Sequence, residues 1–108
     1  MLERDLERKL GEALKKLGCL YYKFVSPTNS GVPDRLVIIP GQPSERTART
    51  IFVELKAERG RLSAVQRRQI ARMRDAGAEV RCLRGWTEAA GFLAEIEAFL
   101  CGAEAEER

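Results

Sequence analysis

The chain has 108 residues, room for one domain with a single core and too few for a cofactor domain beside a substrate domain. Apolar residues make up 44% and charged residues 32%, a globular profile, and no apolar run approaches the roughly 20 residues of a membrane span. Lysine and arginine number 19 against 16 acids, giving a net charge of +3 and a pI near 9.0, while histidine is absent. Its absence removes His-based zinc sites, Ser-His and Cys-His nucleophiles and imidazole bases together, so chemistry must rest on carboxylates, lysine, tyrosine or a hard cation held through oxygen.

The N-terminus, MLERDLERKL, has neither the basic-then-apolar order nor the cleavage site of a signal peptide, so a cytoplasmic location is expected. Leu6, Leu10, Ala13, Leu14 and Leu17 recur at helical spacing and Gly18 follows, which predicts an amphipathic helix over Glu3 to Leu17. CLYYKFV, Cys19 to Val25, reads as a first strand. The turn formers of SPTNSGVP end it, and DRLVIIP is a second strand, apolar enough to be central. A polar loop leads to RTIFVELKA, Arg49 to Ala57, which makes a hairpin with the strand before it. Ser63 and Gln66 match the S-x-x-Q capping box and open a helix that Gly77 stops. AEVRCLR is a fourth strand, and Thr87 to about Leu100 forms the closing helix. Helix, three strands, helix, strand and helix in this order predict an α/β domain over 1–102 with a four-stranded mixed sheet, followed by a frayed acidic tail over 103–108. The three cysteines, Cys19, Cys82 and Cys101, stand at apolar positions without a C-x-x-C pair and read as buried free thiols.

The chemistry concentrates on the third strand. Side chains alternate between faces, so Glu54 and Lys56 share one side while Val53 and Leu55 pack on the other. Burying even a paired ion costs several kcal/mol, so an apolar strand that carries both charges on one face is a functional candidate. If the second strand pairs with the third, Asp34 at its start can lie across from Glu54. Two carboxylates in a partly buried cleft repel, and Mg²⁺ or Mn²⁺, which takes hard oxygen ligands and keeps waters for substrate, is the natural guest. Lys56 beside it can hold the attacking water and offset charge on a phosphate.

Pro33-Asp34, with Glu54-Leu55-Lys56 some twenty residues on, resembles the PD-(D/E)xK nuclease signature. The longer stretches KFVSPTNSGVPDRLVIIP, FVELKAERGRLSAVQ and GAEVRCL resemble the virus-type replication-repair nuclease (VRR-NUC) family, over Glu3 to about Trp86. The resemblance implies a restriction-endonuclease-like αβββαβ core with a C-terminal helix. It also implies that Asp34, Glu54 and the backbone carbonyl of Leu55 bind the metal and that Lys56 assists the water. An acid from the first helix often completes such sites. Glu3 lies nearer the middle of the leucine stripe, but Glu7 stands eleven residues before the helix-ending Gly18, the spacing in related junction resolvases, and Glu7 is the choice with Glu3 in reserve. Lys23, Ser26, Arg35 and Gln66 fall on recurrent family positions, the first three for phosphate contact.

Each residue also has an ordinary explanation. Asp34 suits a turn after Pro33, Glu54 and Lys56 could form a solvated pair, and capping alone accounts for Gln66. Arg67, Arg68, Arg72 and Arg74 surround the second helix as a solvated face, and Tyr21, Tyr22 and Trp86 read as sheet and core residues. Jointly the pattern leads to a metal-dependent DNA endonuclease. Small stand-alone domains of the family resemble homodimeric resolvases of branched DNA, four-way junctions included. The competing readings are a flap- or nick-directed nuclease that works with a phage or host partner, and a nucleic-acid-binding module of the same fold without cleavage.

Overall fold

The structure, a computed structural model, describes residues 1–102; the acidic tail expected over 103–108 lies outside them. Seven elements follow in chain order: α1 (Glu3–Lys16), β1 (Leu20–Lys23), β2 (Arg35–Ile39), β3 (Arg49–Lys56), α2 (Ala64–Asp75), β4 (Glu79–Arg84) and α3 (Gly85–Leu100). The four strands form one sheet in the order β1-β2-β3-β4, antiparallel as far as β3. β4 runs parallel to β3, and a parallel neighbour requires the crossover that α2 provides. This is the mixed α/β sheet expected from the sequence.

Strand alternation divides the chemistry between two faces. Val37, Ile39, Ile51, Val53 and Leu55 bury against Leu6, Leu10 and Leu14 of α1 and Ala89, Phe92 and Ile96 of α3. Each such side chain withdrawn from water contributes about 1.5–3 kcal/mol, so this face holds the domain together. The even-numbered residues of β3 and β4 face the other way, where α2 packs over β4 and buries Ile70 and Val80. Farther from α2 that face is open, and Leu20 and Tyr22 on the edge strand are 48% and 50% exposed.

Helix ends follow local rules. Gly18 adopts φ 84° and closes α1 with the paired bonds of a Schellman motif, Cys19 N–H donating to Leu14 O and Gly18 N–H to Lys15 O. Gly77 ends α2 in the same way. α3 begins two residues earlier than the sequence predicts, because Gly85 turns strand directly into helix at φ 72° and a carboxylate oxygen of Glu88 accepts the Arg84 N–H at 3.0 Å. A Cβ at Gly85 would lie 2.4 Å from Glu58 Cγ, so a larger residue there would displace that side chain as well as bear the strain of a positive φ.

Two expectations need correction. All three cysteines are free, yet only Cys19 is buried. Cys82 is half-buried on the α2 side of β4 and Cys101 is exposed just past the end of α3. Tyr21 and Trp86 pack against the core and Tyr22 is a sheet residue of β1, as expected; the difference is that Tyr22 is half exposed on the open face. The first strand is shorter than Cys19 to Val25, since the ladder stops at Lys23 and Val25 is exposed.

Candidate active site

The β2–β3 register sets the site. Arg35 pairs with Val53, Leu36 with Phe52 and Val37 with Ile51, so one further step of the same ladder puts Asp34 opposite Glu54. Directly opposed residues on antiparallel strands share a face, and their Cβ atoms lie about 4.5–5.5 Å apart. The two carboxylates differ in exposure. Asp34 sits at the mouth with its side chain 52% exposed, and Glu54 is 6% exposed within the sheet.

Two side chains meet Glu54. Lys56, two residues along the strand, holds its Nζ 3.8 Å from Glu54 Oε2. Gln66, in the first turn of α2, donates from Nε2 to the same oxygen at 3.1 Å. The other end of the Gln66 amide accepts the Ser63 backbone N–H at 2.8 Å, while Gln66 N–H donates to Ser63 Oγ. The helix cap and the carboxylate contact are therefore simultaneous uses of one side chain. Even so, burial first and the charge of Asp34 second push the Glu54 carboxyl up to about 7, against the smaller opposing pull of Lys56.

Arg35 has a different environment from Lys23 and Ser26. It is 8% exposed on the α1 face, donates to the Asp34 carbonyl at 3.0 Å, lies 3.6 Å from the Asp34 carboxylate and pairs with Glu7. Its guanidinium is thus committed beneath Asp34 rather than presented to solvent. Tyr21 lies beside it with a buried hydroxyl, and burial raises that phenol to about 12. Glu7, chosen from the sequence as the first-helix acid, faces this arginine, while Glu3 is the α1 acid whose charge further raises Glu54. Lys23 is exposed at the end of β1, and Ser26 lies in the turn that Asn29 closes. Alternation carried a signal for Arg35, which shares its parity with the core residues Val37 and Ile39.

The donor set suits a hard divalent ion. Among the described residues no three acidic or thiol side chains gather into a metal cage. Two opposed carboxylates are the hard oxygen donors such an ion takes, and a cation between them would relieve the Asp34 repulsion that adds to burial in raising Glu54.

A hairpin that opposes Asp34 and Glu54, with a lysine two residues on and a parallel strand alongside, defines the PD-(D/E)xK class of nuclease folds. Comparison with known proteins narrows this. The VRR-NUC domain model matches residues 3–86. A protein of Acyrthosiphon pisum secondary endosymbiont phage 1, named "Putative nuclease p44", is 40% identical over 78 residues, covering 72% of this chain and 77% of its own. A solved VRR-NUC domain superposes with a TM-score of 0.70 at 27% identity, over 87% of this chain and 97% of that one. The chain belongs to the VRR-NUC family of nuclease domains.

Proposed function

We propose that this nuclease domain is a Mg²⁺- or Mn²⁺-dependent endonuclease that hydrolyses DNA phosphodiester bonds, selects branched DNA such as four-way junctions, and acts as a homodimer in the cytoplasm of a bacterial or phage-infected cell. The observation that carries the reading is the β2–β3 register, which opposes Asp34 to the buried Glu54 beside Lys56.

Asp34, Glu54 and the Leu55 carbonyl would hold the ion. When bound, such an ion polarises the phosphoryl oxygen and makes water a stronger nucleophile. Lys56 Nζ holds the attacking water and offsets the charge that builds on the phosphate. Gln66 fixes the Glu54 carboxylate by its 3.1 Å bond, so the ligand is oriented before substrate arrives. Glu7 serves as a positioning residue, acting on Asp34 through Arg35. Lys23 and Ser26 contact phosphates near the scissile bond.

Selection by shape is supported by the absence, among the described residues, of a helix free to read bases, since α1 and α3 cover one sheet face and α2 packs on β4. The half-exposed Leu20 and Tyr22 on the edge strand support self-association, which would remove them from water. Among the described residues no helix is long and apolar enough to cross a membrane.

Labelled four-way junction, flap and linear duplex incubated with Mg²⁺, Mn²⁺ or EDTA test the proposal, with Asp34→Ala and Lys56→Ala alongside. Cleavage of the junction in either metal, lost in EDTA and in both variants, is the expected result. Binding without cleavage in every metal would leave a nucleic-acid-binding module, and preference for the flap would favour the partner-directed nuclease. Light scattering reads the oligomeric state, with a monomer at working concentration removing the dimer. Glu7→Gln and Glu3→Gln are compared for turnover; unchanged turnover in Glu7→Gln leaves Glu7 without a role.

A further inference from the structure

A second charged feature adjoins Lys56 and is not used in the reaction just described. β3 and β4 run parallel with Lys56 beside Arg84 and Glu54 beside Cys82, so these four side chains form a patch at the carboxyl ends of two strands. In open α/β sheets the crevice outside those ends is the usual place for a ligand. Here a cleft of about 420 Å³ opens there, bounded by Lys56, Arg61, Arg67 and Arg84 with Glu88 as the one acid. Leu62 and Cys82 make its less polar wall.

The cations are poorly neutralised. Arg61 and Arg67 have no carboxylate partner among the described residues, and Arg67 donates only to the Leu62 carbonyl at 2.9 Å. Arg84 lies 3.9 Å from Glu88, and both side chains are about half exposed, so that pair contributes little and opens readily. A cleft this basic attracts a polyanion, and Lys56, shared with the carboxylate site, makes the two continuous, so a sugar-phosphate chain can run on past the reacting phosphate.

We infer that this cleft is a binding site for the phosphates of one DNA strand on one side of the scissile bond, with Arg61, Arg67 and Arg84 as its phosphate contacts. The inference rests on the nuclease reading for its placement of the scissile phosphate at Asp34 and Glu54. Arg67 comes from the helix that also supplies Gln66, so strand and carboxylate are held by neighbouring residues of one helical turn. The contacts are to backbone and carry no base preference, as shape selection requires.

The test is the salt dependence of binding by the full chain to a labelled four-way junction in EDTA, followed by fluorescence anisotropy. Arg61→Gln, Arg67→Gln and Arg84→Gln are each expected to weaken binding and to lower the slope of log K against log salt by about one, and the triple variant by about three. Lysine at the same positions restores most of the slope. Lys15→Gln and Lys16→Gln, which remove equal charge from α1, leave it unchanged. Arg61 is exposed and unpaired among the described residues, so its single variant reads out even if the triple variant fails to fold. Unchanged slopes in the arginine variants, equal losses in the α1 controls, or no binding by the wild-type chain each overturn the inference. Cleavage by the wild type in Mg²⁺ or Mn²⁺ is scored separately. Cutting with unchanged slopes sinks the cleft alone, while binding through the cleft without cutting in any metal sinks the nuclease reading alone.

Discussion

The parallel strands β3 and β4 carry one cluster of charges at each end, and the two are built to opposite rules. At their beginnings, on the α3 face, Arg49 pairs with Glu79, and Arg81 bonds both oxygens of Glu95 at 2.8 and 2.6 Å. Phe99 lies under Arg49 and Phe92 near Arg81. Two cations meet two acids there, and the Arg81 bond holds Glu95 below its usual carboxylate value. At the far end of β3, on the α2 face, Lys56 lies 3.8 Å from Glu54, yet burial and the charge of Asp34 still raise that carboxyl to about 7. Both clusters draw on β3, the first completed by β4 and α3 and the second by Asp34 just before β2. The two ends thus hold one carboxylate below its ordinary value and another above it.

The sharpest way to break this comparison is activity. Lys56→Ala and Asp34→Ala should each lower the cleavage rate of labelled DNA by on the order of 10²–10³-fold, the scale of losing a charge aimed at the transition state. Arg81→Gln at the balanced end should leave the rate within about threefold. Equal losses at both ends would erase the distinction.

Next in size is pH. Burial favours neutral Glu54, so its folded value lies above the ordinary 4.5, and the stability this group contributes is fully present below that value and lost as pH rises towards 7. The metal-free chain should lose about 2–3 kcal/mol between pH 5 and pH 8 from this residue, read by urea unfolding, and Glu54→Gln should flatten the profile. A wild-type profile with no such decline would show that Glu54 is not strained.

Metal should then offset part of the loss. Mg²⁺ or Mn²⁺ at about 10–100 times Kd should stabilise the wild type by about 1.4–2.7 kcal/mol at pH 8 and leave Glu54→Gln unmoved, as thermal melting reads directly. The smallest effect belongs to the balanced end. Glu95 is depressed, so its contribution is present above the ordinary value and lost as pH falls through the folded one. Its side chain is 46% exposed, and Glu95→Gln should cost less than about 1 kcal/mol at pH 7 by the same urea measurement.

Much of the site was legible because it rests on short periods. Two-residue alternation put Glu54 and Lys56 on one face, and the spacing from Ser63 to Gln66 located the start of α2. The hairpin between β2 and β3 was legible too, but its register was not, since a nine-residue connection from Pro40 to Ala48 does not fix pairing as a two-residue turn does. The placement of Arg84 beside Lys56 depends on a parallel pairing across a whole helix, and no local pattern encodes that. Helical angle and resolvase spacing favoured different acids of α1; the structure gives Glu7 to Arg35 and leaves Glu3 acting on Glu54. The early start of α3 was hidden by a glycine that here begins a helix, the opposite of its common meaning.

The amide at position 66 limits what that position will accept. A helix opening of the form S-x-x-E is as good a cap as S-x-x-Q, because either side chain returns an oxygen to the serine N–H. Here the remaining atom of residue 66 faces an oxygen of Glu54, and a second carboxylate would set acceptor against acceptor. Local helix rules thus allow two residues where the neighbouring strand tolerates one, and a Gln66→Glu exchange, conservative by sequence, would reverse the polarity of the contact it leaves in place.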